Sequence, residues 1–140
     1  MKVNMRQFIN IVEHTDILTV YHGGPNKVVY PRTPFYVTPS LEMAKSYGEV
    51  ISAFKLDLSK GRECNEQLAR DEADIMGLEG AYTEPFYVLL KDSEFCRRIA
   101  EDGQYIEFMD SPQDGEHGDE AFVAYCILDR DFRGLSPIAD

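Results

Sequence analysis

Four side chains in this sequence have types and positions suited to chemistry: His22, Tyr36, Tyr47 and a late acid, Glu120. His22 ends an apolar run and stands beside Gly23 and Gly24. An imidazole there can bond a sugar hydroxyl, and the bare backbone of Gly23 can pair with a ligand amide. The structural alternative for His22 is an ordinary turn histidine. Tyr36 and Tyr47 are eleven positions apart. A strand, a turn and a short helix between them would fold both phenols toward one gap, where they could stack on a flat heterocycle. Both could equally be core aromatics. Glu120 directly precedes an apolar strand, so its backbone would be held firmly. A carboxylate so placed could bond a ribose 2′-hydroxyl and stabilise positive charge on a sugar ring during glycosyl transfer. Asp119 and Glu107 are rivals for that role, and a solvated loop charge is the structural alternative.

Other chemistries find little support. His-Gly-Gly is shared with the oxyanion loop of lipase-like hydrolases, but no G-x-S-x-G nucleophile motif accompanies it. His14, His22 and His117 lack metal-ligand spacing, and Cys64, Cys96 and Cys126 form no CxxC pair, so no metal is expected. The acidic segment does not match a calcium-binding loop.

The elements needed to position these groups can be read in chain order. A leading helix is expected over Asn4–His14, within residues 1–15, with Met5, Phe8, Ile9 and Val12 on one face and Asn4 as cap. Ile17–Tyr21 reads as a strand ended by His22-Gly23-Gly24-Pro25-Asn26. Lys27–Thr33 reads as a loop with a short extended piece at Val28-Val29-Tyr30. Phe35–Thr38 is a second strand stopped by Pro39. Ser40 opens a helix with Leu41, Ala44 and Tyr47 along one side, closed by Gly48. Val50–Leu58 alternates as a strand, with its even-numbered positions forming one face. Ser59-Lys60-Gly61 is a turn. Asn65–Met76 is an exposed amphipathic helix carrying Leu68, Ala69, Glu72, Ile75 and Met76. Gly77–Gly80 break it. A helix follows with Thr83 as cap and Pro85 in its first turn. Another follows Asp92 with Phe95, Cys96 and Ile99 inward. Tyr105–Met109 is a strand, Asp110–Glu120 a solvated acidic loop, Phe122–Leu128 a central strand, and the tail from Asp129 irregular.

Composition sets the outer limits. The chain has 140 residues, enough for one domain, and 44% of them are hydrophobic, so a core is expected. The net charge of −11 and pI of about 4.6 argue against a nucleic-acid backbone or an anionic membrane as direct partner. A basic protein surface would suit that charge, although acidity can serve solubility alone. Three dispersed cysteines and the absence of a secretion signal suggest a reducing cytoplasm. No apolar run is long enough to span a bilayer.

Read together, Tyr21-His22-Gly23, Phe35-Tyr36-Val37-Thr38 with Ala44 and Tyr47, and an acid before a late apolar strand resemble the ADP-ribosyltransferase fold. The order matches its His-Tyr-Glu class, which includes diphtheria-toxin-like and poly-ADP-ribose-polymerase-like enzymes. Small phage and bacterial members, an anti-CRISPR enzyme among them, show a similar late segment to Asp119-Glu120-Ala121-Phe122-Val123. Phe8–Glu13 is similar to the leading helix of phage relatives. The sequence departs from the pattern in a short His22–Tyr36 loop and in a second glycine where threonine is common.

The resemblance implies an α+β fold of split, mainly antiparallel sheets flanked by helices, and NAD as co-substrate. It implies that His22 holds the adenosine-side ribose, Gly23 the carboxamide, and Tyr36 with Tyr47 the nicotinamide ring. Thr38 and Ser40 would lie along the cofactor, and Glu120 would stabilise the ribosyl cation. The acceptor would be a side chain of a host or partner protein, a basic nucleic-acid-binding protein fitting the charge, in the host cytoplasm if the protein is phage-encoded. Two alternatives stay open. One is an NAD glycohydrolase or a nucleic-acid ADP-ribosyltransferase on the same fold. The other is a non-catalytic acidic inhibitor of a basic protein.

Overall fold

The structure, a computed structural model, describes residues 17–110 and 121–138. The leading helix expected over Asn4–His14 lies outside the described residues. The fold is α+β. Strands β1 (Ile17–Gly24), β3 (Val50–Asp57) and β7 (Leu135–Pro137) form one antiparallel sheet in the order β1-β3-β7. Strands β2 (Phe35–Val37), β4 (Glu63–Cys64), β5 (Tyr105–Asp110) and β6 (Phe122–Ile127) form a second sheet in the order β2-β6-β5-β4, in which only the β4–β5 pair is parallel. Among the described residues there are four α-helices, α1 (Leu41–Lys45), α2 (Glu66–Ile75), α3 (Phe86–Leu89) and α4 (Ser93–Ile99), and one 3-10 turn at Leu58–Lys60.

The period-two alternation of the strands explains the layering. In the second sheet, Phe35, Val37, Tyr105, Tyr125 and Ile127 face the first sheet and pack on Val20, Phe54 and Leu56. The alternate residues Ile106, Phe108, Ala124 and Cys126 face the other way, toward Ala69, Phe86, Phe95 and Ile99 of the helices. The second sheet is thus buried on both faces. This is why Phe122–Ile127 reads as a continuous apolar run rather than an alternating one.

Capping follows the sequence at three helices. Ser40 Oγ accepts from Met43 N (3.1 Å), Asn65 Oδ1 from Leu68 N (3.1 Å) and Asp92 Oδ1 from Phe95 N (2.9 Å). At the far end of α2, Gly77 takes φ +78°, with Leu78 N bonded to Ala73 O and Gly77 N to Asp74 O. That is a Schellman termination, which favours glycine.

Several local expectations are corrected by tertiary packing. β1 does not end at Tyr21: His22, Gly23 and Gly24 remain in the strand, paired with Ser52, Ile51 and Val50. The two glycines mark a close approach rather than a turn. A Cβ on Gly23 would lie 1.8 Å from the Ala44 carbonyl oxygen, and one on Gly48 would lie 2.5 Å from Gly24 Cα. Bare backbone here lets α1 settle against β1. Consequently α1 buries Met43 and Ala44, while Leu41 and Tyr47 of the expected face stay exposed. In α2 the inward residues are Ala69 and Ala73, and Leu68 and Ile75 are exposed, because only small side chains fit against the neighbouring core. Thr83 caps nothing: Gly80 O accepts from both Thr83 N and Glu84 N in a turn, and α3 starts after Pro85. Val28-Val29-Tyr30 is not a strand. The tail is not wholly irregular, since Leu135–Pro137 pairs with Phe54–Leu56. Asp110 belongs to β5 and is buried rather than solvated.

Gly23→Ala is expected to destabilise the fold by about 3 kcal/mol, because the clash is with backbone that cannot rotate away. Gly77→Ala, with open space around it, should cost about 1–2 kcal/mol from its positive φ alone. Urea denaturation of the two variants checks the order.

Candidate functional site

The two sheets are joined where β1 passes the end of β2. Tyr21 N donates to Thr38 O (2.8 Å), and Thr38 N donates to Tyr21 O (3.0 Å). One residue further along, His22 Nδ1 lies 2.8 Å from the carbonyl oxygen of Tyr36. A carbonyl can only accept, so Nδ1 carries a proton, and in the neutral tautomer that this bond selects Nε2 is the acceptor. The ring is held in plane by stacking on Phe35, at 4.3 Å between centroids and 25° between planes.

Beyond this junction the sheets and α1 enclose a cleft of about 270 Å³. His22, Gly23, Tyr36, Thr38 and Tyr47 all line it, joined by Tyr87, Lys91 and Asp110. The volume sits just under the usual lower bound of about 300 Å³ for small-molecule pockets, so it suits one ring-sized group. On the other side of His22, a shallow hollow is bordered by Lys27, Val28, Tyr30 and Arg32, with Tyr30 almost fully exposed.

Tyr36 is half-buried, its ring edge-on to Phe108 at 6.2 Å. Burial, reinforced by neighbouring Cys126, Cys96 and Asp110, pushes its phenol well above the ordinary range, so it remains neutral at any physiological pH. Tyr47 follows α1 and donates its hydroxyl to Asp110 Oδ2 at the end of β5, tying one wall of the cleft to the sheet. Thr38 lines the cleft, but its hydroxyl donates to Val123 O (2.8 Å) and accepts from Ser40 N (3.1 Å), so it holds backbone. Ser40 is not in the cleft. It caps α1 and lines a separate groove with Glu107, Phe122 and Tyr125. Glu107 therefore lies on the sheet face opposite the cleft, being of opposite parity to Asp110 along β5. Glu120 and Asp119 lie outside the described residues.

Asp110 was missed by sequence reasoning because it opens the acidic segment and reads as the first of its solvated charges. The available signal was its position: residues 106, 108 and 110 share a parity, and the first two are core residues. Tyr87 gave less signal, since its place in the cleft depends on α3 starting after Pro85. Among the described residues, no group of three or more His, Cys, Asp or Glu is placed to share a metal ion, and no helix is long and apolar enough to cross a membrane.

The three cysteines are buried and unpaired. Burial pushes the Cys64 and Cys96 thiols up to about 11, with Asp102 and Asp92 adding to it respectively, and moves Cys126 further in the same direction. At pH 8 alkylation of Cys64 and Cys96 should run roughly 100-fold slower than that of a free thiol on ionisation alone, and that of Cys126 slower still. The folded state binds these protons longer than the unfolded chain. Stability is therefore fully present below pH 9 and falls as pH rises from about 9 toward about 11. Denaturation midpoints across that range check the sign.

No protein-family model matches this sequence, and no curated protein does. Among solved structures the chain is similar to the crystal structure of an anti-CRISPR protein, with a TM-score of 0.50 and 14% identity over 86% of this chain and 93% of that one. At that identity the likeness speaks to the shared fold.

Proposed function

We propose that this protein is an NAD-dependent mono-ADP-ribosyltransferase that modifies a side chain of another protein. The observation that carries the reading is the convergence of His22, Gly23, Tyr36 and Tyr47, from three separate elements, on one ring-sized cleft. The nicotinamide ring would lie between the phenols, close to the bare backbone of Gly23. His22 Nε2 would accept from a ribose hydroxyl. The basic hollow across His22, with Lys27 and Arg32, suits the diphosphate half of the dinucleotide. In the transfer, the bond between C1′ and the pyridinium nitrogen breaks and its electron pair stays on nicotinamide. The acceptor side chain bonds C1′ and gives up its proton to a base. Glu120, which precedes β6 in the sequence, is our candidate for the carboxylate that stabilises the cation between those events.

A second reading has support of its own. The structural neighbour is an anti-CRISPR protein, and the charge of −11 suits a non-catalytic inhibitor that sits on a basic partner. Such an inhibitor would bind without NAD, tolerate Tyr36→Ala, and release its partner in high salt.

Incubation of candidate basic target proteins with labelled NAD separates these readings. A transferase leaves one ADP-ribose on the target by mass spectrometry, and His22→Ala should slow that step by about 100-fold or more. Label found only as free ADP-ribose indicates a glycohydrolase, and label on nucleic acid the other transferase. No NAD binding by calorimetry, with His22→Ala inert, would end the enzyme reading.

A further inference from the structure

The cleft is lined by four tyrosines, Tyr21, Tyr36, Tyr47 and Tyr87, and one buried carboxylate, Asp110, which is 7% exposed. The aromatic faces and the carboxylate favour the same kind of guest. The face of a phenol ring carries negative potential and attracts cations, more strongly when water is excluded. A carboxylate held in the same wall attracts the same cations in a setting where water screens charge poorly. The structure already contains one such contact at the rim, where the exposed Lys91 ammonium lies 5.8 Å from the centroid of Tyr87. The positive charge at the rim and the negative charge within the cleft suit a ligand whose ring is cationic and whose tail is anionic.

The geometry points to Asp110 as the residue that makes this cleft selective for a positively charged aromatic ring, the pyridinium of oxidised NAD, over the neutral ring of the reduced form. This deepens the transferase reading and rests on it for the identity of the ligand. Asp110 has a second task, since it receives the Tyr47 hydroxyl. Tyr47 is 44% exposed, and that bond ties its ring to the wall. Asp110→Asn keeps an acceptor for Tyr47 and removes the charge. Tyr47→Phe keeps the charge and the ring and removes the bond. The pair of variants separates selection by charge from positioning of the wall.

Calorimetric titrations of the full chain with NAD, NADH, 1-methylnicotinamide and nicotinamide test the proposal. The native protein should prefer each cationic ligand over its neutral counterpart by about 10-fold. Asp110→Asn should lose most of that preference while binding NADH within about 2-fold of the native protein, and Tyr47→Phe should keep it. Thermal melts confirm that both variants are folded. Equal binding of NAD and NADH by the native protein overturns the inference while leaving the transferase reading intact, as does a preference that survives Asp110→Asn. Binding of 1-methylnicotinamide that depends on Asp110, with no affinity for NAD, keeps the cationic-ring site and removes the dinucleotide. Binding of none of the four ligands removes both.

Discussion

The two backbone hydrogen bonds between Tyr21 and Thr38 hold the site together. They fasten the first sheet to the residue that follows β2, at the point where the chain leaves the second sheet through Pro39 and enters α1. On the core side of that junction the sheets close over Val20, Phe35, Val37 and Phe54. On the other side the cleft opens. His22 repeats the fastening with a side chain, reaching from β1 to the Tyr36 carbonyl. One edge of the cleft is therefore set by main-chain geometry, which most substitutions leave in place.

The opposite wall is set by small residues. Gly23 and Gly48 let α1 and the turn after it approach β1 more closely than a side chain would allow, with Gly23 against the Ala44 carbonyl and Gly48 against the Gly24 backbone. That approach brings Tyr47 across to Asp110. The buried acid at the end of β5 is thus tied to a glycine contact far upstream of it in the sequence. Residues without any reactive group decide where the reactive ones stand.

The helical layer does different work. Arg70 donates to the carbonyls of Ala81 (3.1 Å) and Glu84 (3.0 Å) and lies over Phe86 at 5.3 Å, which fixes the connection into α3. Phe86, Phe95 and Phe108 then pack the far face of the second sheet. This layer carries Tyr87 and Lys91 to the mouth of the cleft, so its packing has a consequence for binding as well as for stability.

The sequence by itself determined the elements with strong local signatures. Alternation marked β3, a continuous apolar run marked β6, and Ser40, Asn65 and Asp92 marked the helix starts, because capping and side-chain period are properties of a few adjacent residues. It also named His22, Gly23, Tyr36 and Tyr47, whose order is informative even before their distances are known. Tertiary structure alone decided which of the named groups meet. Ser40 and Glu107 fall outside the cleft, Thr38 is committed to backbone, and Asp110 moves from an acidic run into the wall. The reason is physical: one position along a strand exchanges one face for the other, and an acid is solvated or buried according to what packs against that face. Partners brought together from distant parts of the chain settle such choices, and local sequence carries little record of them.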